Sequence, residues 1–179
     1  MITILSGTNR PGSNTLKVAS IGMAFYRDSK VDAQLLDLAK LPAGIFSPEH
    51  YGKPPAEFQP FQKMILETDG ILVVTPEYNG GFPGALKYFI DLLKFPDSLV
   101  GKPAAFIGVA AGRFGALRPI EQLEMIFQYR EAHIYGKRVL LPAVESKLSA
   151  DGTAIADESI RERFEQMLLG FGEFCRRLK

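Results

Sequence analysis

The stretch that decides the fold is GILVVTPEYNGGFPG, which runs from Gly70 to Gly84. Its first part, Gly70–Thr75, is an unbroken apolar and β-branched run, typical of a strand that is buried on both faces of a sheet. Its second part is rich in proline and glycine, which impose an irregular and tightly turning backbone. A buried strand that leads directly into such a loop is typical of α/β proteins, whose ligands bind where the strands end.

Similar apolar runs on either side of this strand alternate with amphipathic stretches. We predict five strands, at Ile2–Ser6, Val31–Leu38, Gly70–Thr75, Pro103–Ala110 and Val139–Val144. We predict five helices, at Ser13–Tyr26, Phe61–Thr68, Pro83–Leu93, Ala116–Arg130 and Glu158–Leu178. The pattern of Val31–Leu38 by itself also allows a helix, and Pro142 within the last strand suits a sheet edge. The prolines of Leu41–Pro60 exclude regular structure there. Strands that alternate with helices predict a parallel sheet covered on both faces.

The composition indicates one globular domain, residues 1–179, that binds a small molecule. The chain has 179 residues, of which 46% are hydrophobic and 23% charged, close to the globular average. The formal net charge of +1 argues against a nucleic-acid partner. Met1 leads directly into the first strand, and no apolar run approaches the roughly 20 residues that span a bilayer. We therefore expect a cytoplasmic protein without membrane association.

The residues most often found in redox and metal sites are few. Cys175 is the only cysteine, so the chain has no intramolecular disulfide and no CxxC motif; we interpret it as a small apolar residue of the last helix. His50 and His133 have no ligand-spaced cysteine, histidine or carboxylate nearby. Both are interpreted as surface residues, and we predict no metal site.

The loop after the first strand, SGTNRPGSNT, is dense in hydrogen-bond donors. It carries the guanidinium of Arg10 and the hydroxyls and amides of Ser6, Thr8, Asn9, Ser13, Asn14 and Thr15. It leads into a helix, and a helix N-terminus with free N–H groups binds phosphate well. The loop matches neither GxGxxG nor GxxxxGK[ST], which argues against a dinucleotide-binding or nucleoside-triphosphate motif. The alternative is an ordinary strand-to-helix turn with Ser13 as its N-cap.

Two further loops follow the third and fourth strands. In TPEYNGGFPG the backbone can approach a flat ligand closely, with Tyr78 and Phe82 as aromatic surface at the rim. Glu77 is a weak candidate for a general base, because no histidine, lysine or tyrosine cluster accompanies it; the alternative is a solvated turn. In AAGRFG, Arg113 either faces an anionic ligand or is a solvated loop residue.

Together, the stretches SGTNRPGSNTLKVA, TPEYNGGFPGALKYFIDLL and AAGRFGALRPIEQL resemble the signatures of the NADPH-dependent FMN reductase family, of the azoreductase and chromate-reductase type. The resemblance runs in order over Met1 to Val144. It implies a flavodoxin-like three-layer α/β sandwich with a five-stranded parallel sheet in the order 2-1-3-4-5. It also implies noncovalent FMN and NADPH or NADH as co-substrate.

The resemblance assigns roles to eleven positions. It implies that the FMN phosphate is held by Thr8, Arg10, Ser13, Asn14 and Thr15. It implies that the isoalloxazine ring lies against Pro76, Glu77, Tyr78, Asn79 and Gly80, with Gly112 near its pyrimidine edge. No catalytic side chain is required, because the flavin does the chemistry.

The implied reaction is a two-electron, ping-pong transfer from NAD(P)H through FMN to a quinone, azo compound, metal oxyanion or free flavin. The family also implies a homodimer or homotetramer, with the helices after the third and fourth strands at the interface. Two stretches depart from the family pattern: Tyr88–Leu92 has added aromatic residues, and Leu41–Pro60 brings Phe46 and Tyr51 as candidates for a different acceptor pocket. The alternatives are a flavodoxin-like electron carrier, which would tend to be strongly acidic, and a non-catalytic flavin-binding protein.

Overall fold

The computed structural model describes all 179 residues, and its five strands form one parallel sheet. The strands are β1 (Ile2–Ser6), β2 (Ala33–Asp37), β3 (Gly70–Pro76), β4 (Pro103–Val109) and β5 (His133–Leu141). Their order is β2-β1-β3-β4-β5 and every neighbouring pair is parallel, which confirms the predicted topology. The direction of sheet growth reverses between β1 and β3, so the loops after these two strands leave the sheet side by side.

Five helices cover the two faces of this sheet. They are α1 (Asn14–Asp28), α2 (Gln59–Leu66), α3 (Gly84–Leu92), α4 (Leu117–Tyr129) and α5 (Glu158–Arg177). Leu72 and Val74 of β3 pack with α1 and α5, whereas Ile71 and Val73 pack with α2, α3 and α4. Because successive side chains of a strand point to opposite faces, a strand buried on both faces is apolar throughout.

The prediction for the fifth strand was wrong at both ends. β5 begins at His133, six residues before the predicted start, and ends at Leu141, so Pro142 lies outside it. Gly136, Lys137 and Arg138 are exposed at this sheet edge, and the pairing with β4 is irregular there. A half-exposed edge strand has no continuous apolar run, which is why the pattern located only its last residues.

The proline-rich segment has more local order than we predicted. It contains three short 3-10 turns, Ala43–Phe46, Pro48–His50 and Ala56–Phe58. Pro60 lies in the first turn of α2, where a missing N–H has no cost. Ile45 and Phe58 are fully buried and anchor the segment to the face of α2 and α3. β2 is a strand, so the helical alternative for that region was wrong.

The structure also shows the environment of the single cysteine and the character of the helices. Cys175 is buried on α5, and burial raises the pKa of its thiol to about 12, as a small core residue would show. None of the helices is both long enough and apolar enough to cross a bilayer.

Candidate functional site

The loops at the carboxyl edge of the sheet enclose a cleft of about 480 Å³. Its walls come from the loop after β1, the loop after β3, the end of β4, and residues that follow β5. A larger groove of about 710 Å³ lies between α3 and α4, lined mainly by apolar side chains. The smaller cleft is the better candidate for chemistry, because it lies at the topological switch point and gathers the polar loops.

One end of the cleft is the N-terminus of α1. Ser13 is its N-cap, with an extended backbone, and its Oγ accepts a hydrogen bond from the N–H of Leu16 at 3.1 Å. The N–H groups of Asn14 and Thr15 have no acceptor within the chain, and the first turn of α1 has no acidic residue. Free donors and an uncompensated positive dipole end make this terminus a site for an anion.

Two cationic side chains border the same end. Arg10 was predicted from the loop, whereas Lys17 was not. Lys17 lies four residues after the N-cap and therefore on the same face of the helix, a spacing that could have identified it. The aliphatic part of Lys17 lies against Gly152 in the connection between β5 and α5, which holds the side chain beside the cleft.

The loop after β3 forms the second wall, and a tight turn defines its shape. Tyr78 and Gly81 exchange two backbone hydrogen bonds, of 2.8 and 3.0 Å. Between them, Asn79 and Gly80 have positive φ values of 53° and 77°, the geometry of a type I′ turn. Asn-Gly is the preferred sequence for that turn, so Asn79 and Gly80 shape the loop, while Pro76, Glu77 and Tyr78 line the cleft.

Close backbone packing brings the first and second loops together. The N–H of Gly7 donates to the carbonyl of Val74 at 2.8 Å. A side chain at position 7 would have its Cβ only 2.9 Å from that carbonyl oxygen, so the approach requires glycine. In the side-chain layer, the Thr8 Oγ1 lies 3.0 Å from the Tyr78 hydroxyl and accepts from the N–H of Arg10 at 3.2 Å.

The third loop is bound to the segment after β5. The carbonyl of Gly112 accepts from the N–H of Ala143 at 3.3 Å, and that of Ala110 accepts from Val144 at 3.0 Å. This pairing brings Val144 and Glu145 into the wall of the cleft. No sequence pattern pointed to these two residues as part of a site, because the fifth strand was expected to continue to Val144.

Arg113 has an environment outside the cleft. Its guanidinium lies over the ring of Phe114, 4.8 Å from the centroid, and both side chains are exposed. Of its two interpretations, the solvated loop residue is the one that this geometry matches.

The chain is similar over its length to proteins of known family. A family model described as NADPH-dependent FMN reductase matches residues 1–145. The chain belongs to this family. An NAD(P)H-dependent FMN reductase of Pseudomonas aeruginosa is 31% identical over 180 residues, 98% of this chain and 95% of that protein. A quinone reductase of Escherichia coli is 27% identical over 184 residues, 100% of this chain and 96% of that protein.

A solved structure supports the fold of the reductase. The flavoenzyme NAD(P)H:(acceptor) oxidoreductase FerB from Paracoccus denitrificans superposes with a TM-score of 0.79 at 22% identity, covering 98% of this chain and 97% of that one. The family resemblance expected from the three loops is thus confirmed. The protein is an oxidoreductase of a family that uses FMN with NAD(P)H.

The cleft of the reductase fits FMN by the chemistry of its donors. A phosphate matches the free N–H groups and cations at the α1 terminus, and a volume of about 480 Å³ lies within the range of small-molecule sites. Seven of the eleven positions predicted from the family line the cleft: Arg10, Ser13, Asn14, Thr15, Pro76, Glu77 and Tyr78. Thr8 lies buried beside Tyr78. Asn79, Gly80 and Gly112 are not among the lining residues.

Proposed function

We propose that the reductase binds FMN in the cleft at the carboxyl edge, with the phosphate at the N-terminus of α1 and the ring against the loop after β3. The observation that carries this proposal is the pair of free N–H groups, Asn14 and Thr15, beside Arg10 in a first turn without carboxylates. A dianionic phosphate compensates both the free donors and the helix dipole. We further propose that residues 1–179 form one FMN-binding domain, because both cores pack on the same sheet.

FMN, when bound, supplies an acceptor for hydride from NAD(P)H and a donor of two electrons to a second substrate. The residues of the chain bind and orient it. Pro76 and Tyr78 would limit the movement of the ring on the side of the loop after β3, and Ala110 and Ala111 line the cleft with small side chains. We propose that NAD(P)H and the acceptor use the same site in turn, which is ping-pong order.

The proposed acceptor is a quinone, which takes up two electrons and two protons to become a hydroquinone. The E. coli quinone reductase, similar over the whole chain, supports this class. Azo compounds, metal oxyanions and free flavin are the other acceptors to compare with it. Phe46 and Tyr51, the candidates for a different acceptor pocket, do not line the cleft; Phe46 packs on Tyr88 of α3 with ring centroids 5.0 Å apart.

We propose that two copies of the chain associate through α3 and α4. The groove between these helices is lined mainly by apolar side chains, and Phe95, Met125 and Tyr129 beside it are 67%, 65% and 80% exposed. Exposed apolar patches of this kind are typical of protein interfaces. Light scattering of the purified protein should give twice or four times the mass of one chain, and a monomer would contradict this part of the proposal.

The first experiment is an absorbance spectrum of the FMN-reconstituted protein before and after anaerobic addition of NADPH. We expect a bound-flavin spectrum that bleaches, followed by recovery when a quinone is added. Double-reciprocal plots with varied NADPH and quinone should be parallel, as ping-pong order requires. A bound flavin that stays oxidised would favour the electron carrier or the non-catalytic flavin-binding protein. Failure to bind FMN would contradict the proposal itself.

A further inference from the structure

The two loops that form the cleft are joined by one contact between side chains. The hydroxyl of Tyr78, in the loop after β3, lies 3.0 Å from the Oγ1 of Thr8, in the loop after β1. Thr8 is fully buried, whereas Tyr78 is 37% exposed and lines the cleft. The contact thus connects the wall proposed for the ring with the loop proposed for the phosphate.

The rest of the second loop is bonded to itself. Tyr78 pairs with Gly81 across the Asn79–Gly80 turn, and the hydroxyl of Thr75 donates to the carbonyl of Pro76. No other hydrogen bond joins residues 76–83 to residues 7–15. Gly81 lies close to the side-chain amide of Gln122 on α4.

The hydroxyl of Thr8 has two hydrogen-bond partners. Its oxygen accepts from the N–H of Arg10, which fixes the curvature of the first loop next to the cationic side chain. A hydroxyl has one donor and two lone pairs, so Thr8 can bond to Arg10 and to Tyr78 at the same time. Removal of the Tyr78 hydroxyl therefore also changes the environment of the Thr8 hydroxyl, which holds the backbone of Arg10 beside the cleft.

We propose that Tyr78 is a positioning residue, whose hydroxyl sets the loop for the FMN ring in register with the loop for the FMN phosphate. The inference rests on the proposed function, since it assigns a role within the same cleft. With the hydroxyl in place, the two halves of the site are preorganised, and binding FMN does not have to order one loop against the other. Without it, phenylalanine keeps the aromatic surface, and only the backbone contact of Gly7 with Val74 still joins the two walls.

The test is a double-mutant cycle on FMN affinity, with the substitutions Tyr78→Phe and Thr8→Val, singly and together. Loss of a neutral hydrogen bond should raise the Kd for FMN by about three- to tenfold. We expect each single substitution to do so, and the double substitution to be no worse than the more severe single one. Thr8→Ser keeps the hydroxyl and should restore affinity to within about twofold. Tyr51→Phe, at a side chain 82% exposed and away from the cleft, is the matched control for affinity.

A second readout separates positioning from simple loss of stability. The visible circular dichroism of bound flavin reports how the ring sits against its wall, and it should change in Tyr78→Phe and in Thr8→Val but not in Thr8→Ser. The melting temperature of the apoprotein should fall by about 2–4 °C at most in Tyr78→Phe, because that side chain is partly exposed. If Thr8→Val does not fold, a comparison of Tyr78→Phe with Thr8→Ser in FMN affinity and flavin dichroism still tests the positioning role.

The outcomes also separate this inference from the proposed function. Wild-type protein that binds no FMN would overturn the proposed function. Wild-type protein that binds FMN, with Tyr78→Phe equal to it in affinity and dichroism, would overturn the positioning role alone. Strictly additive effects of the two substitutions would do the same, because they would show that the two hydroxyls act separately.

Discussion

Two long helices, α1 and α5, begin at the same edge of the sheet, but the N-terminus of α5 is acidic and that of α1 is neutral. α5 begins with Asp157 as its N-cap, followed by Glu158; the carboxylate of Asp157 accepts from the N–H of Ile160 at 3.0 Å and from Lys147 at 2.7 Å. α1 begins with the neutral Ser13 and has no acidic residue in its first turn. The positive end of α5 is thus compensated within the chain, whereas that of α1 is not.

This difference indicates which terminus is available to a ligand. A helix N-terminus that carries its own carboxylate gains stability from it and repels an external anion. A terminus with a neutral cap is not compensated within the chain, so an anionic ligand that binds there gains the favourable interaction with the helix dipole. Only the α1 terminus lines the cleft with Arg10 and Lys17, so charge and position agree on the same site.

The largest expected effect comes from removing the cation at the α1 terminus. Arg10→Gln should raise the Kd for FMN by about ten- to a hundredfold, because hydrogen bonds to charged groups contribute about 1.5–3 kcal/mol. Fluorescence titration of the apoprotein with FMN measures this. Arg161→Gln, near the α5 terminus, is the matched control and should leave the Kd unchanged. Equal effects of the two substitutions would remove the distinction between the termini.

A second substitution makes the α1 terminus resemble that of α5. Ser13→Asp keeps a capping oxygen for the N–H of Leu16 but places a carboxylate where we propose the phosphate. We expect the Kd for FMN to rise by about tenfold, since the two anions repel and the helix dipole is already compensated. Ser13→Asn, which caps without a charge, should bind FMN within about threefold of wild type. An Asp variant that binds FMN as tightly as the Asn variant would argue against a phosphate at this terminus.

A smaller effect is expected at Lys17. Lys17→Gln should weaken FMN binding by about two- to fivefold at low salt. The difference should disappear near 1 M salt, because dissolved ions screen the attraction between an exposed ammonium group and the phosphate. Titrations at the two salt concentrations give the measurement. Lys137→Gln, on the exposed part of β5, is the control. A loss of affinity that salt does not change would show that Lys17 acts through packing against Gly152 instead.

The smallest effect is on the stability of α5. The bond from Lys147, and then the N–H of Ile160, hold the pKa of Asp157 below its ordinary value of 3.8. A lowered pKa adds stability that is fully present above pH 3.8 and is lost as the pH falls through the lower, folded-state value. Asp157→Asn should therefore melt a few degrees below wild type at pH 7, and the gap should close only below pH 3.8. FMN binding should not change; a weaker affinity would link α5 to the cleft.

Much of the fold follows from local patterns in the chain. The strand Gly70–Pro76 is recognisable because burial on both faces requires apolar residues without interruption. β5 was located wrongly because its first residues lie at a sheet edge, where one side of the strand needs no apolar side chain. The short turns between Ala43 and Phe58 depend on the contacts of Ile45 and Phe58 with distant helices, which no local pattern encodes.

The same division holds for the cleft. The donors of the first loop, the Asn-Gly turn and the neutral cap of α1 are all visible in the sequence, because each depends on residues within a few positions of one another. Val144, Glu145 and the support of Lys17 by Gly152 are not visible, since they arise where segments far apart in the chain meet.

The sequence by itself determined the succession of strands and helices along the chain and the donor-rich loop, because periodicity, capping and turn preferences are local and leave direct marks on residue types. The family followed from the resemblance of the three loop stretches to its signatures. Only the tertiary structure decided that Thr8 meets Tyr78 across 70 positions and that the cleft has a wall from beyond β5. The physical reason is that parallel strands bring their carboxyl ends to one edge whatever their separation along the chain, and the contacts made there are set by packing in three dimensions.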